Sequence, residues 1–265
     1  MQGFDFNGRN VFVAGGTSGI NLGIAEAFAE AGARVAVLSR SQDKVDAARD
    51  RLKSFGGEAL GFAADVRNAD ATTAALMAAH DAFGPVDALV SGAAGNFPAP
   101  ALGMSTNGFK AVVDIDLLGT FNVLRGAHAF LRKPGATVVN ISAPQSVVAM
   151  PMQAHVCAAK AGVDMLTRVL AIEWGGDGIR VNAVIPGPIE GTEGMARLAP
   201  TEASQKAVAR SVPLGRFGTK QDVANLVMFL ASPWASYITG AVIPVDGGWS
   251  TNGLGGLAQA MQPGR

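Results

Sequence analysis

Short β-branched runs alternate along the chain with longer Ala-rich stretches whose apolar positions recur every three to four residues. The runs at 10–14, 34–39, 58–63, 88–91, 137–141, 179–185 and 241–245 read as strands. The stretches at 19–31, 42–54, 68–83, 107–130, 153–174 and 220–231 read as helices. Strand and helix alternate throughout, which predicts repeated βαβ units and a parallel sheet buried on both faces. The expected architecture is a single α/β domain over residues 1–265, a doubly wound sheet of seven parallel strands in the order 3-2-1-4-5-6-7 with helices on both faces. The interval 187–216 is richer in Gly, Pro and Thr than its surroundings and separates a strand from the next sheet-packing helix. It reads as a substrate-side lid.

Composition narrows the chemistry. The 265 residues are 49% hydrophobic, which suits a sheet covered on both sides, and no apolar run reaches the roughly 18 residues that span a bilayer. Lys and Arg total 21 and so do Asp and Glu, so no basic excess steers the chain toward nucleic acid or an anionic membrane. Cys157 is the single cysteine, and His80, His128 and His155 are too scattered to suggest a metal site. The opening residues, Met1 to Asp5, have neither a basic nor an apolar signal region, and the closing ones, Gln262 to Arg265, are not a peroxisomal address; the expected compartment is the cytoplasm. Any redox chemistry must borrow a cofactor.

Gly15-Gly16-Thr17-Ser18-Gly19-Ile20 follows the first strand directly and opens a helix, where backbone N–H groups and the helix dipole converge on an anion. Glycines alone would fit any turn, but the first βαβ unit is where a dinucleotide fingerprint of the Rossmann kind belongs. The second strand ends in Ser39-Arg40 without the acidic residue that would bind an NAD ribose, so Arg40 favours the 2′-phosphate of NADP(H) over a reading as a solvated surface arginine. Asp65-Val66, closing the third strand, could hold the adenine amino group or cap a turn.

In this order the motifs resemble the short-chain dehydrogenase/reductase family from Gly8 to about Trp249. The resemblance implies that Asp65 binds adenine, that Lys160 binds the nicotinamide ribose, and that Pro186-Gly187 and Ile189 line the nicotinamide pocket with Ala93, Ala94, Ile115 and Ser142. The chain departs from the pattern. The last glycine of the cradle is Asn21, with Gly23 two residues on, so helix and strand are expected to pack less closely. The Asn-Asn-Ala-Gly after the fourth strand becomes Ser91-Gly92-Ala93-Ala94-Gly95. Val156 stands where the catalytic tyrosine would be, four residues before Lys160; Ala143 replaces the serine; Asp116 replaces the asparagine. Tyr237, the only tyrosine, belongs to the C-terminal turn. His155 is no ready substitute, because residues five apart on a helix lie about 140° from each other; it reads as a helix-start residue pointing off the cleft. Cys157 reads as packing between helices.

Ketone reduction needs a proton at oxygen, which valine and alanine cannot give. Reduction of a conjugated C=C bond sends hydride to a remote carbon and leaves an enolate, which needs donors and a later proton at carbon. One branch with these departures is the 2,4-dienoyl-CoA reductases, particularly the peroxisomal type, which the stretches Ala93 to Phe97, Asp114 to Asp116, Ala158 to Asp164 and Pro186 to Gly194 resemble. That resemblance implies NADPH-dependent conversion of a 2,4-dienoyl-CoA to a 3-enoyl-CoA, with Asp116 and Lys160 catalytic. Asn96, Phe97 and Gln153 are the expected substrate contacts. Asp116 could instead serve only to hold Lys160. A carbonyl substrate protonated through water by way of Ser142 or Gln145, and a cofactor-binding protein without turnover, are the competing readings. The helix at 153–174 carries apolar residues on more than one side, among them Met165, Val169 and Ile172, which points to self-association; the resemblance implies a homotetramer.

Overall fold

The computed structural model describes residues 4–252. The extreme ends of the chain read above for targeting, Met1 to Gly3 and Gln262 to Arg265, lie outside the described residues. Seven strands, β1 (Asn10–Ala14), β2 (Arg34–Ser39), β3 (Ala59–Ala63), β4 (Ala88–Ser91), β5 (Thr137–Ile141), β6 (Arg180–Pro186) and β7 (Val242–Val245), form one sheet. It is parallel throughout, in the expected order β3-β2-β1-β4-β5-β6-β7. Every residue of β1, β4 and β5 is buried, as a strand covered on both faces requires.

Helices α1 (Gly19–Glu30), α2 (Gln42–Lys53), α3 (Ala69–Phe83), α4 (Thr106–Val113), α5 (Gly119–Ala127), α6 (Ala154–Trp174), α7 (Glu193–Leu198), α8 (Glu202–Ser211) and α9 (Lys220–Ala231) complete the described fold. The sheet divides the core into two layers. Phe28, Ile24 and Leu230 pack on one face through α1 and α9. Leu76, Leu124 and Trp174 pack on the other through α3, α5 and α6. The strand order reverses between β1 and β4, and their ends are level: Ala14 pairs with both Leu38 and Ser91. The segments leaving β1, β2 and β4 therefore open onto one crevice at the carboxyl edge, where doubly wound folds bind ligands.

One expectation is corrected. The stretch 107–130 is not one regular α-helix, because a π-helical turn, Asp114–Leu118, separates α4 from α5. An amphipathic pattern cannot show such a turn, since it widens the backbone by one residue without breaking the run. The interval 187–216 holds two short helices, α7 and α8, each begun by a threonine cap, Thr192 or Thr201. Among the described residues, no helix is long and apolar enough to cross a membrane, and no group of three or more His, Cys, Asp or Glu side chains could hold a metal.

Candidate active site

A cavity of about 640 Å³ runs along the carboxyl edge of the sheet. Its floor begins at the cradle: Gly15, Thr17, Ser18, Gly19 and Ile20 all line it. Helices α2, α3, α4, α8 and α9 each begin with a side chain accepting a backbone N–H. Helix α1 does not, and its first turn holds no acidic residue. Its N–H groups thus remain open toward the cavity, which suits a pyrophosphate. Ser39, Arg40, Asp65 and Val66 line the next stretch. Arg40 makes no described hydrogen bond or ion pair. The Asp65 carboxylate is gripped by Arg67, whose guanidinium and backbone N–H hold it below the usual carboxylate range against the effect of burial.

Asn21 does not loosen the cradle. Its Nδ2 donates to the Gly92 carbonyl at 2.7 Å, stitching α1 to the end of β4. A Cβ on Gly92 would lie 2.2–2.6 Å from the Asn21 side chain. The family pattern puts glycine in the helix and asparagine in the loop; here the two residue types have exchanged places. Gly23 serves a different contact, since a Cβ there would meet Lys220 of α9 at 2.6 Å.

Beyond the cradle, Ala93, Ala94, Ile115, Ser142 and Lys160 line the middle of the cavity, and Pro186, Gly187 and Ile189 line its far wall. Val156 and Ala143 occupy the tyrosine and serine positions on that surface. Tyr237 is wholly exposed, at 102%. The π-helical turn places Asp116 in this wall with 1% exposure. Its Oδ1 accepts the Gly95 N–H at 2.7 Å, and its Oδ2 lies 3.6 Å from Lys160 Nζ, which also donates to the Ile141 carbonyl at 3.0 Å. Burial pushes the Asp116 carboxyl above its ordinary range, and Lys160, the Gly95 N–H and His155 only partly oppose it. Gly119, just after the turn, allows the close approach that sets it, for a Cβ there would meet Val66 Cγ2 at 2.5 Å.

At the substrate end the sequence reading is corrected. Asn96 lines the cavity, but Phe97 and Gln153 do not. Phe97 packs edge-on against the His155 ring at 4.6 Å. Gln153 is buried behind Gln145, accepting its Nε2–H at 2.7 Å. His155, the second residue of α6, is off the cavity, as the helical angle requires, and is wholly buried. Lys44, Met150 and Trp249 also line the cavity and were not foreseen, while Met195 and Val208 reach it from the stretch 187–216 read as a substrate-side lid. Trp249 carried a signal, standing directly after the Gly247-Gly248 turn that ends the resemblance; Lys44 and Met150 reach the site only through tertiary packing.

A glycine cradle at a switch point, a buried lysine one turn from the tyrosine position and a carboxyl beside it define an α/β oxidoreductase that takes a nicotinamide cofactor. The chain belongs to the short-chain dehydrogenase/reductase family. Residues 14–250 match the family described as enoyl-(acyl carrier protein) reductase. The chain is 47% identical over 253 residues to the peroxisomal 2,4-dienoyl-CoA reductase [(3E)-enoyl-CoA-producing] of Rattus norvegicus, covering 94% of this chain and 87% of that one. It is 42% identical over 243 residues to the probable 2,4-dienoyl-CoA reductase [(2E)-enoyl-CoA-producing] of Bacillus subtilis, covering 91% and 96%. Among solved structures, a short-chain type dehydrogenase/reductase from Mycobacterium ulcerans superposes with a TM-score of 0.89 at 32% identity, covering 93% of this chain and 91% of that one.

Proposed function

We propose that the chain is an NADPH-dependent reductase of the conjugated double bonds of an enoyl thioester, converting a 2,4-dienoyl-CoA to a 3-enoyl-CoA. The observation that carries this reading is the buried Asp116–Lys160 pair in a wall where Val156 and Ala143 have no proton to give. The open N-terminus of α1 fits a pyrophosphate, and the uncommitted Arg40 fits a 2′-phosphate. Lys160, between Asp116 and the Ile141 carbonyl, fits a ribose hydroxyl. Bound there, NADPH would supply hydride to the δ carbon.

What the chain's own residues must do is hold the charge that collects toward the thioester and return a proton to carbon. Lys160 supplies the positive charge. Asp116, whose burial makes it hold a proton more readily than an ordinary carboxyl, delivers that proton through a water. Protonation at the α carbon leaves a 3-enoyl product and protonation at the γ carbon a 2-enoyl product, the difference between the names of the two relatives. The competing ketone reading has only Ser142, whose buried hydroxyl lacks a protein partner, because the Gln145 amide is committed to Gln153.

NADPH absorbance should fall with a dienoyl-CoA and stay flat with simple ketones and 3-ketoacyl-CoA, the product being identified by chromatography. Oxidation with ketones alone overturns the reading; tight NADPH binding without any oxidation supports a non-catalytic cofactor-binding protein. The exposed apolar side chains Leu118, Phe121, Met165, Val169 and Ile172 on α5, α6 and the turn before α5 support coverage by further copies of this chain, proposed as a homotetramer. Light scattering tests that. The cytoplasm is the proposed compartment, against the peroxisomal setting in the rat relative's name; imaging of a tagged chain decides between them.

A further inference from the structure

His155, which the mechanism above leaves unused, is the second residue of α6 and has no exposed surface. Its Nδ1 accepts the Val156 backbone N–H at 3.0 Å, so the ring proton of the neutral side chain resides on Nε2. That Nε2 has no protein acceptor. A buried donor left unmade destabilises the fold, which natural interiors avoid by enclosing a water. The ring is clamped by Phe97 at an interplanar angle of 80°, so it does not swing away to find another partner.

Asp116 is the complementary group. Its two oxygens offer roughly four acceptor positions, and the protein fills them with one N–H and a lysine at 3.6 Å, longer than a direct hydrogen bond. One loop touches both residues, for Gly95 donates to Asp116 and Phe97 packs on His155. We infer that His155 is a positioning residue for Asp116, its Nε2–H reaching the carboxylate through one enclosed water and holding it toward Lys160. This deepens the proposed function and rests on Asp116 being a working group there. His155 is also among the groups that lower the Asp116 pKa, in keeping with that placement. The charge facing Asp116 comes from Lys160 on α6, and the titratable ring facing it is His155 on the same helix. The loops after β4 and β5 bring none, and Asp114 on its own turn is paired with Lys110.

Two variants separate this role from packing. His155→Asn keeps an acceptor for the Val156 N–H but loses the donor at Nε2, whereas His155→Gln places an amide N–H near the Nε2 position. Asp116 is followed by carbon NMR of labelled carboxyls across pH, assigned with Asp116→Asn and needing no substrate. In the Asn variant its midpoint should rise by at least about half a pH unit, and the acid limb of kcat should move the same way with KM for the thioester unchanged; the Gln variant should restore both. A wild-type midpoint in His155→Asn, or an equal displacement in the two variants, overturns the inference. If wild-type protein does not oxidise NADPH with any dienoyl-CoA, the proposed function fails while the titration still reports on His155.

Discussion

Two buried carboxylates stand at opposite edges of the same sheet. Asp87, 7% exposed at the amino edge of β4, is surrounded by donors: the Arg9 guanidinium and the Asn10 backbone N–H, each at 2.9 Å, and the Arg132 guanidinium. Burial pushes its pKa up, but Arg132, Asn10 and Arg9 outweigh it and hold the carboxyl below its usual range. Asp116 at the carboxyl edge is more deeply buried, at 1% exposure, and meets only one N–H and a distant lysine, so burial wins and its pKa rises. Burial pushes both carboxyls upward, and the donors around each decide how far that push is opposed. Between these two, the acid with fewer donors and deeper burial is the one whose pKa rises, and it lies in the cavity.

The sharpest way to break this contrast is to remove each carboxylate in turn. Asp116→Ala should lower kcat with a dienoyl-CoA by about 10²–10⁴-fold, the range of a lost acid–base group, while NADPH affinity measured by fluorescence stays at the wild-type level. An unchanged rate would remove Asp116 from the mechanism. Asp87→Ala should leave kcat alone and cost about 3 kcal/mol in urea unfolding, since it strands two guanidiniums and a backbone N–H; the half-exposed Arg9 keeps the loss from being larger.

The pH dependence of stability separates the pair by sign. Asp87 has a folded pKa below its unfolded one, so its stabilisation is present above the ordinary carboxylate range and is lost as pH falls through the folded value. Asp116 has a folded pKa above its unfolded one, so its contribution is present at low pH and is lost as pH rises through the folded value. Compared with wild type, Asp87→Asn should flatten the loss of stability on acidification and Asp116→Asn should steepen it. Urea midpoints across the acid range check this, and slopes changing in the same direction would contradict the contrast.

At the cofactor end, Arg40→Ala should weaken NADPH binding by roughly 10- to 30-fold, about 1.5–2 kcal/mol for one charge-assisted contact, with NADH affinity unmoved. Equal loss for both cofactors would return Arg40 to the solvated surface.

What was legible in the sequence follows the same division. The strands and the cavity floor were readable because their signals are local: a glycine run after β1, Arg40 directly after β2, Lys160 one turn past Val156, all of which line the cavity. The π-helical turn was not, because an extra residue in a turn leaves an amphipathic pattern intact. Phe97 and Gln153 were misplaced for another reason. The direction of each side chain is set by a partner remote in sequence or across a loop, His155 for one and Gln145 for the other. Asn21 was misjudged as a loss of close packing because its counterpart, Gly92, is distant in sequence.

That last pair yields the smallest expected effect and a clean test of whether two departures from a family pattern compensate each other. The Asn21 amide occupies the space that a side chain at 92 would fill, and its Nδ2–H satisfies the Gly92 carbonyl. Asn21→Gly removes that hydrogen bond and leaves a polar gap that water can enter, which should cost about 1 kcal/mol. Gly92→Ala forces a methyl within 2.6 Å of the amide and must displace it, so it should cost at least as much and weaken NADPH binding several-fold by shifting Ala93. The two losses should not add. With Asn21 already glycine, the methyl at 92 enters free space, and the double variant should recover most of what Gly92→Ala loses in Tm. Additive losses would mean that the two side chains do not share that space, and that the exchange between helix and loop is a coincidence rather than a compensation.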